Sequence, residues 1–78
     1  MLIFLLYGGY SEDGRGSGTF LKATESKEEA LVHYRAVKSD PYSVGSVKVL
    51  TENSLIRIFT ESEEVKYFGK KVKKRGSK

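Results

Sequence analysis

With 78 residues, the chain has room for one domain and a small hydrophobic core. It contains no cysteine, which excludes disulfides, thiolate catalysis and cysteine-ligated zinc, and its 31% charged and 38% hydrophobic residues suit a folded, soluble protein rather than a disordered one. The formal charge of +4 is unevenly placed: residues 66–78 carry seven bases and no acid, which leaves a net −3 on residues 1–65.

The opening run Leu2-Ile3-Phe4-Leu5-Leu6-Tyr7 is apolar without alternation. That pattern predicts a strand covered on both faces, central in the sheet or buried at a dimer interface. The run has no basic leader or small-residue cleavage site and is far shorter than the roughly 20 residues that span a bilayer, so it reads as a strand and not as an address or anchor. Gly8-Gly9 ends it, and the polar, glycine-rich residues 10–18 follow as a flexible loop. Within that loop Gly14-Arg15-Gly16-Ser17-Gly18 has the alternate glycines of a phosphate cradle. Known cradles, however, open a helix or place a lysine after the last glycine, and Glu12 and Asp13 repel phosphate. The loop is expected to be a mobile connector that binds no nucleotide. Thr19 to Ala23 then read as a second strand, antiparallel to the first.

Ser26 and Glu29 have capping-box spacing, and Ala30, Leu31, Tyr34 and Val37 repeat at helical intervals to form a buried face. His33 falls away from that face and is expected to be exposed; a lone histidine cannot build a metal site. Asp40-Pro41 stops the helix, because the residue before proline is pushed out of the helical region. After the loop from Tyr42 to Gly45, Ser46–Thr51 and Ser54–Thr60 form two strands around a turn at Glu52-Asn53. Val47, Val49, Ile56 and Ile58 mark the buried face, and Lys48 and Arg57 the wet one. Leu50, Leu55 and Phe59 break the polarity of that outer face, which predicts partial cover by the C-terminal segment.

That segment opens on a second capping box, Thr60 with Glu63, and has Glu61, Glu63 and Glu64 at its front. At 100° per residue Val65, Phe68 and Val72 form a narrow apolar stripe, with Lys66, Lys70, Lys73 and Lys74 opposite and Tyr67 beside them. Gly69 weakens such a helix by about 1 kcal/mol. Lys70 to Arg75 contain five cations in six positions, a density that attracts polyanions. The fold class expected is α+β: a single domain over residues 1–75, in the order β-β-α-β-β-α, with a mostly antiparallel sheet, helices packed on it, a flexible loop over 8–18 and a disordered basic end at 76–78.

The candidate nucleic-acid-binding residues are Lys66, Tyr67, Lys70, Lys71, Lys73, Lys74 and Arg75. Tyr67 either stacks on an unpaired base or only shields the helix flank. No nucleophile, base and oxyanion donor converge at a recognisable spacing, so no enzyme is expected, and no metal or cofactor. Three classes remain open: a module that binds RNA or DNA, RNA being favoured; a protein–protein inhibitor without nucleic-acid contact; and a small homo-oligomer formed through the first strand.

In form, the Leu6-Tyr7-Gly8-Gly9-Tyr10 turn and the Asp40–Val49 run leading into a hairpin, in so short and cysteine-free a chain, resemble small phage-encoded accessory proteins. The resemblance implies a cytoplasmic protein of an infected bacterium with a counter-defence role. It would bind and block a host factor such as a toxin nuclease, a CRISPR complex or a polymerase. No site residue is carried over on it.

Overall fold

Phe4 and Leu6 on the first strand are buried while Ile3, Leu5 and Tyr7 between them are only half-buried, and that alternation sets the architecture. The computed structural model describes residues 2–11, 16 and 18–72. Its elements are β1 (Ile3–Gly8), β2 (Thr19–Thr24), α1 (Lys27–Ser39), β3 (Ser46–Leu50), β4 (Leu55–Arg57) and α2 (Glu61–Phe68). The four strands form one antiparallel sheet in the order β2-β1-β3-β4. This is the expected α+β fold, and the first strand is central as its composition predicts. Among the described residues no helix is long and apolar enough to cross a membrane.

Both helices lie on one face of the sheet. Phe4, Leu6, Val47, Val49 and Ile58 point into a core closed by Ala30, Leu31 and Tyr34 of α1 and by Tyr67 and Phe68 of α2. Phe68 stacks on Phe4 with ring centroids 6.0 Å apart and tilts against Tyr34 at 5.2 Å. The expectation that β1 is covered on both faces is therefore corrected, as is the expectation that the C-terminal helix covers Leu50, Leu55 and Phe59. Phe68 is drawn to the α1 side by Phe4 and Tyr34, and among the described residues no element packs on the other face of the sheet. One consequence concerns Leu5, which sits on that open face directly opposite Lys48. Leu5→Asp should fold, losing roughly 1–2 kcal/mol of apolar burial, part of it offset by the new cross-strand charge pair. A cooperative melt lowered by only several degrees is the expected result, and an unfolded variant would show that this face is buried in solution.

The caps follow the sequence closely. Ser26 Oγ accepts from Glu29 N at 3.1 Å, and α1 ends at Asp40 before Pro41. Glu29 does not reach back to complete its box but pairs with Lys22 of β2 at 2.6 Å. At α2 the box is complete, with Glu63 Oε1 accepting from Thr60 N at 2.8 Å. Gly69 adopts φ 80°, a left-handed conformation that an L side chain rarely takes, and so terminates α2. Gly45 is needed for a different reason. A Cβ there would lie 2.5 Å from the Tyr7 carbonyl oxygen, so its absence lets the start of β3 approach β1.

His33 departs from expectation. It is half-buried, and its Nε2 lies 2.6 Å from the Tyr7 carbonyl oxygen. A carbonyl only accepts, so Nε2 carries the proton. The contact forms where the β1–β2 register shifts between Leu6 and Tyr7, a bulge that periodicity along the chain cannot show.

Candidate nucleic-acid interface

The residues singled out at the C-terminus are not gathered into one surface. The helix stops at Phe68, so Lys70 and Lys71 lie on the return of the chain beyond Gly69 and are exposed. Lys73, Lys74 and Arg75 lie outside the described residues, as do residues 76–78. Lys71 pairs with Glu61 at 2.9 Å across open solvent, and the Glu61 carboxylate raises its pKa. Lys66 is exposed and places Nζ 5.3 Å from the centre of the Tyr67 ring.

Tyr67 itself is only 8% exposed and belongs to the core. It cannot present a ring face to a base, and that role is withdrawn. The reason is rotational. Of the expected stripe Val65, Phe68 and Val72, Phe68 and Val72 are buried, Val72 on the chain beyond the helix, but α2 itself buries Glu64 and Tyr67 beside Phe68 and leaves Val65 47% exposed. Glu64 is the residue that sets this rotation. Its carboxylate accepts from the Tyr34 hydroxyl, from Lys38 Nζ at 2.5 Å and from Val72 N at 3.0 Å. Lys38 Nζ also donates to Val72 O at 2.9 Å, so both backbone polar groups of Val72 are held. Burial pushes the Glu64 carboxyl up, but the bonds from Lys38, Tyr34 and Val72 more than offset this and hold it below its ordinary value. Burial and the bond to Glu64 push the Tyr34 phenol well up, so it donates throughout the neutral range.

The open sheet face carries a different cluster. Phe20, Tyr7 and Ser46 are successive cross-strand partners on it. A backbone bond from Ile58 N to Val47 O at 2.9 Å extends the β3–β4 register past Arg57 and sets Phe59 opposite Ser46. Two residues along, Leu5, Lys48 and Arg57 form the next row, and Ile3, Leu50 and Leu55 the third. The face therefore grades from an aromatic row through a basic pair to an apolar end. Phe20 is 52% exposed and Phe59 71%.

Rings and cations are interleaved there. Lys48 Nζ lies 4.6 Å from the centre of the Tyr7 ring, Arg57 lies 5.2 Å from that of Phe59, and Phe20 meets Tyr7 edge-on at 5.6 Å. Among the described residues the ion pairs of lysine or arginine are those of Lys22, Lys38 and Lys71, and neither Lys48 nor Arg57 has a carboxylate partner. A cavity of about 190 Å³ opens beside the pair, lined by Tyr7, Gly16, Gly18, Val44, Ser46, Lys48 and Arg57. A larger, mostly apolar groove of about 530 Å³ runs between β2 and α1 past Leu21, Val32 and His33, and its cation, Lys22, is already taken by Glu29. No group of three or more metal-ligating side chains occurs among the described residues.

Sequence reasoning did not single out Tyr7, Phe20, Lys48, Arg57 or Phe59 as a site. The signal was present in part, since Leu50, Leu55 and Phe59 were recognised as outward-facing and short of cover. Assigning α2 to cover them hid the surface. The fold and this cluster define a small α+β protein with an open, basic and aromatic sheet face. Compared with protein-family models, curated proteins and solved structures, the chain matches none of them.

Proposed function

We propose that the protein is a non-enzymatic module that binds single-stranded nucleic acid, RNA in preference to DNA, and that the open face of the sheet is the binding surface. The observation that carries this reading is the Lys48–Arg57 pair, two cations without carboxylate partners among the described residues, set among Tyr7, Phe20 and Phe59 on the sheet face away from the helices. Antiparallel sheets with exposed aromatics bind single strands by stacking bases, and cations beside the rings take the phosphates. Phe20 and Phe59 sit on β2 and just after β4, three strand spacings or about 14–15 Å apart across the sheet, which leaves room for bases to stack beside the basic pair. Lys66, Lys70 and Lys71 lie on or just beyond α2, which packs on the opposite face, and add only to the general attraction for polyanions. The likeness to phage accessory proteins extends the proposal to a cytoplasmic counter-defence role, in which the module blocks a host nuclease, toxin or CRISPR factor.

Fluorescence anisotropy with a short labelled RNA, and DNA of the same sequence, tests the reading across a salt series. Replacing Lys48 and Arg57 together by alanine should weaken binding and flatten the slope of log K against log salt by about 1.4, at roughly 0.7 per lost phosphate contact. Phe20→Ala or Phe59→Ala should cost about 1–3 kcal/mol of binding with the slope unchanged, because stacking releases no ions. A folded double variant with wild-type affinity and slope would remove the sheet from the site. If the native protein binds neither nucleic acid, the protein–protein inhibitor takes the place of this reading.

A further inference from the structure

Lys48 and Arg57 are direct cross-strand partners, and like charges placed so oppose folding. Among the described residues neither is paired with a carboxylate; each rests against a ring, Tyr7 for Lys48 and Phe59 for Arg57. Such an arrangement is stabilised by an anion seated between the two. The cavity beside them measures about 190 Å³, below the roughly 300–1,000 Å³ of sites that enclose a whole drug-sized ligand. Its volume suits one anionic group with part of a sugar.

Its walls narrow the choice. Ser46 offers a hydroxyl, Lys48 an ammonium and Arg57 a guanidinium, the donor set that suits phosphate oxygens. The Gly18 and Val44 side is backbone in close contact: a Cβ on Gly18 would lie 2.8 Å from the Val44 carbonyl oxygen. Two cations also match the charge of a phosphomonoester, about −1.5 to −2 at neutral pH, better than the single charge of an internal diester. Gly16 and Gly18 of the glycine loop also line the cavity, but its cations come from β3 and β4.

Resting on the function proposed above, we infer that this cavity is a subsite for a terminal phosphomonoester of the bound single strand. It would set which end of the strand lies at the Ser46 edge of the sheet. The bases then run over the open face from Ser46 past Tyr7 towards Phe20.

The test uses the full chain and one short oligouridylate in three forms: 5′-phosphorylated, 3′-phosphorylated and without a terminal phosphate, each labelled at an end that bears no phosphate. Native protein should bind at least one phosphorylated form about tenfold tighter than the unphosphorylated one, and the form preferred names the end that is read. In Lys48→Ala the ratio between forms should fall to about one, with Arg57→Gln measured in its place if Lys48→Ala does not fold. Equal affinity of native protein for all three forms would overturn the subsite and leave the function standing. No binding of any form would overturn both. A preference that survives in the folded variant would place phosphate recognition elsewhere and also sink the subsite.

Discussion

Glu64→Ala should remove a large part of the protein's stability. The carboxylate it deletes is buried at 1% exposure and holds three donors at once, the Tyr34 hydroxyl, Lys38 Nζ and Val72 N. Breaking a buried pair by removing one partner costs about 3–5 kcal/mol, because the groups left behind are not rehydrated. Lys38 is partly exposed and recovers some water, so the lower end of that range is the better expectation. A domain of this size holds about 4–12 kcal/mol in total. The melting temperature should therefore fall by at least roughly 12 °C. A Glu64→Ala melt within a few degrees of native would show that Glu64 does not clamp the chain end.

The pH dependence carries a definite sign. The folded-state pKa of Glu64 is held below its ordinary value, so folding favours the ionised form. Its contribution is complete at neutral pH and is lost as the pH falls below about 4.3 and through the folded-state value. Glu29 and Glu63 are also held down, Glu29 by Lys22 and Thr24 and Glu63 by the Thr60 and Phe59 backbone, but both lie at the surface, where water screens these interactions. Comparing native protein with Glu64→Gln in urea melts between neutral and acidic pH isolates Glu64. The native protein should lose stability more steeply, and parallel curves would remove Glu64 from the acid response.

Phe68→Ala should be the other large loss, at about 3–5 kcal/mol, because the ring is buried between Phe4 and Tyr34 and neither can move in to fill the space. The control lies on the other side of the same sheet. Phe20→Ala removes an identical side chain that is half-exposed and touches Tyr7 edge-on, and should cost only about 0.5–1.5 kcal/mol. Urea midpoints of the two variants should therefore differ clearly with similar slopes. Equal losses would mean that the open face is covered in solution, in favour of a second copy of the chain.

What could be read from the sequence was whatever depends on near neighbours along the chain. Ser26 and Thr60 start helices because a hydroxyl and a free N–H three residues on lie within one turn. Asp40-Pro41 stops a helix by local sterics, and the alternation of Val47 and Val49 with Lys48 holds for any strand with one dry face. These interactions do not need the rest of the molecule, so element order and the α+β class followed from them.

The face on which α2 packs and the rotation it adopts belong to the tertiary structure alone. Hydrophobic periodicity turned Val65 inward and left Glu64 and Tyr67 outside. In the folded chain Tyr34 and Lys38, one turn apart on α1, offer a hydroxyl and an ammonium that repay the burial of Glu64. Tyr67 goes in with Glu64, and Val65 comes out. A carboxylate counts as an outward residue until its partners, 26 and 30 positions away, are known. The same distance hid the candidate site, since Tyr7, Phe20, Lys48, Arg57 and Phe59 come from separate parts of the chain. Strand pairing and the packing of both helices on one face bring them together on a surface left open.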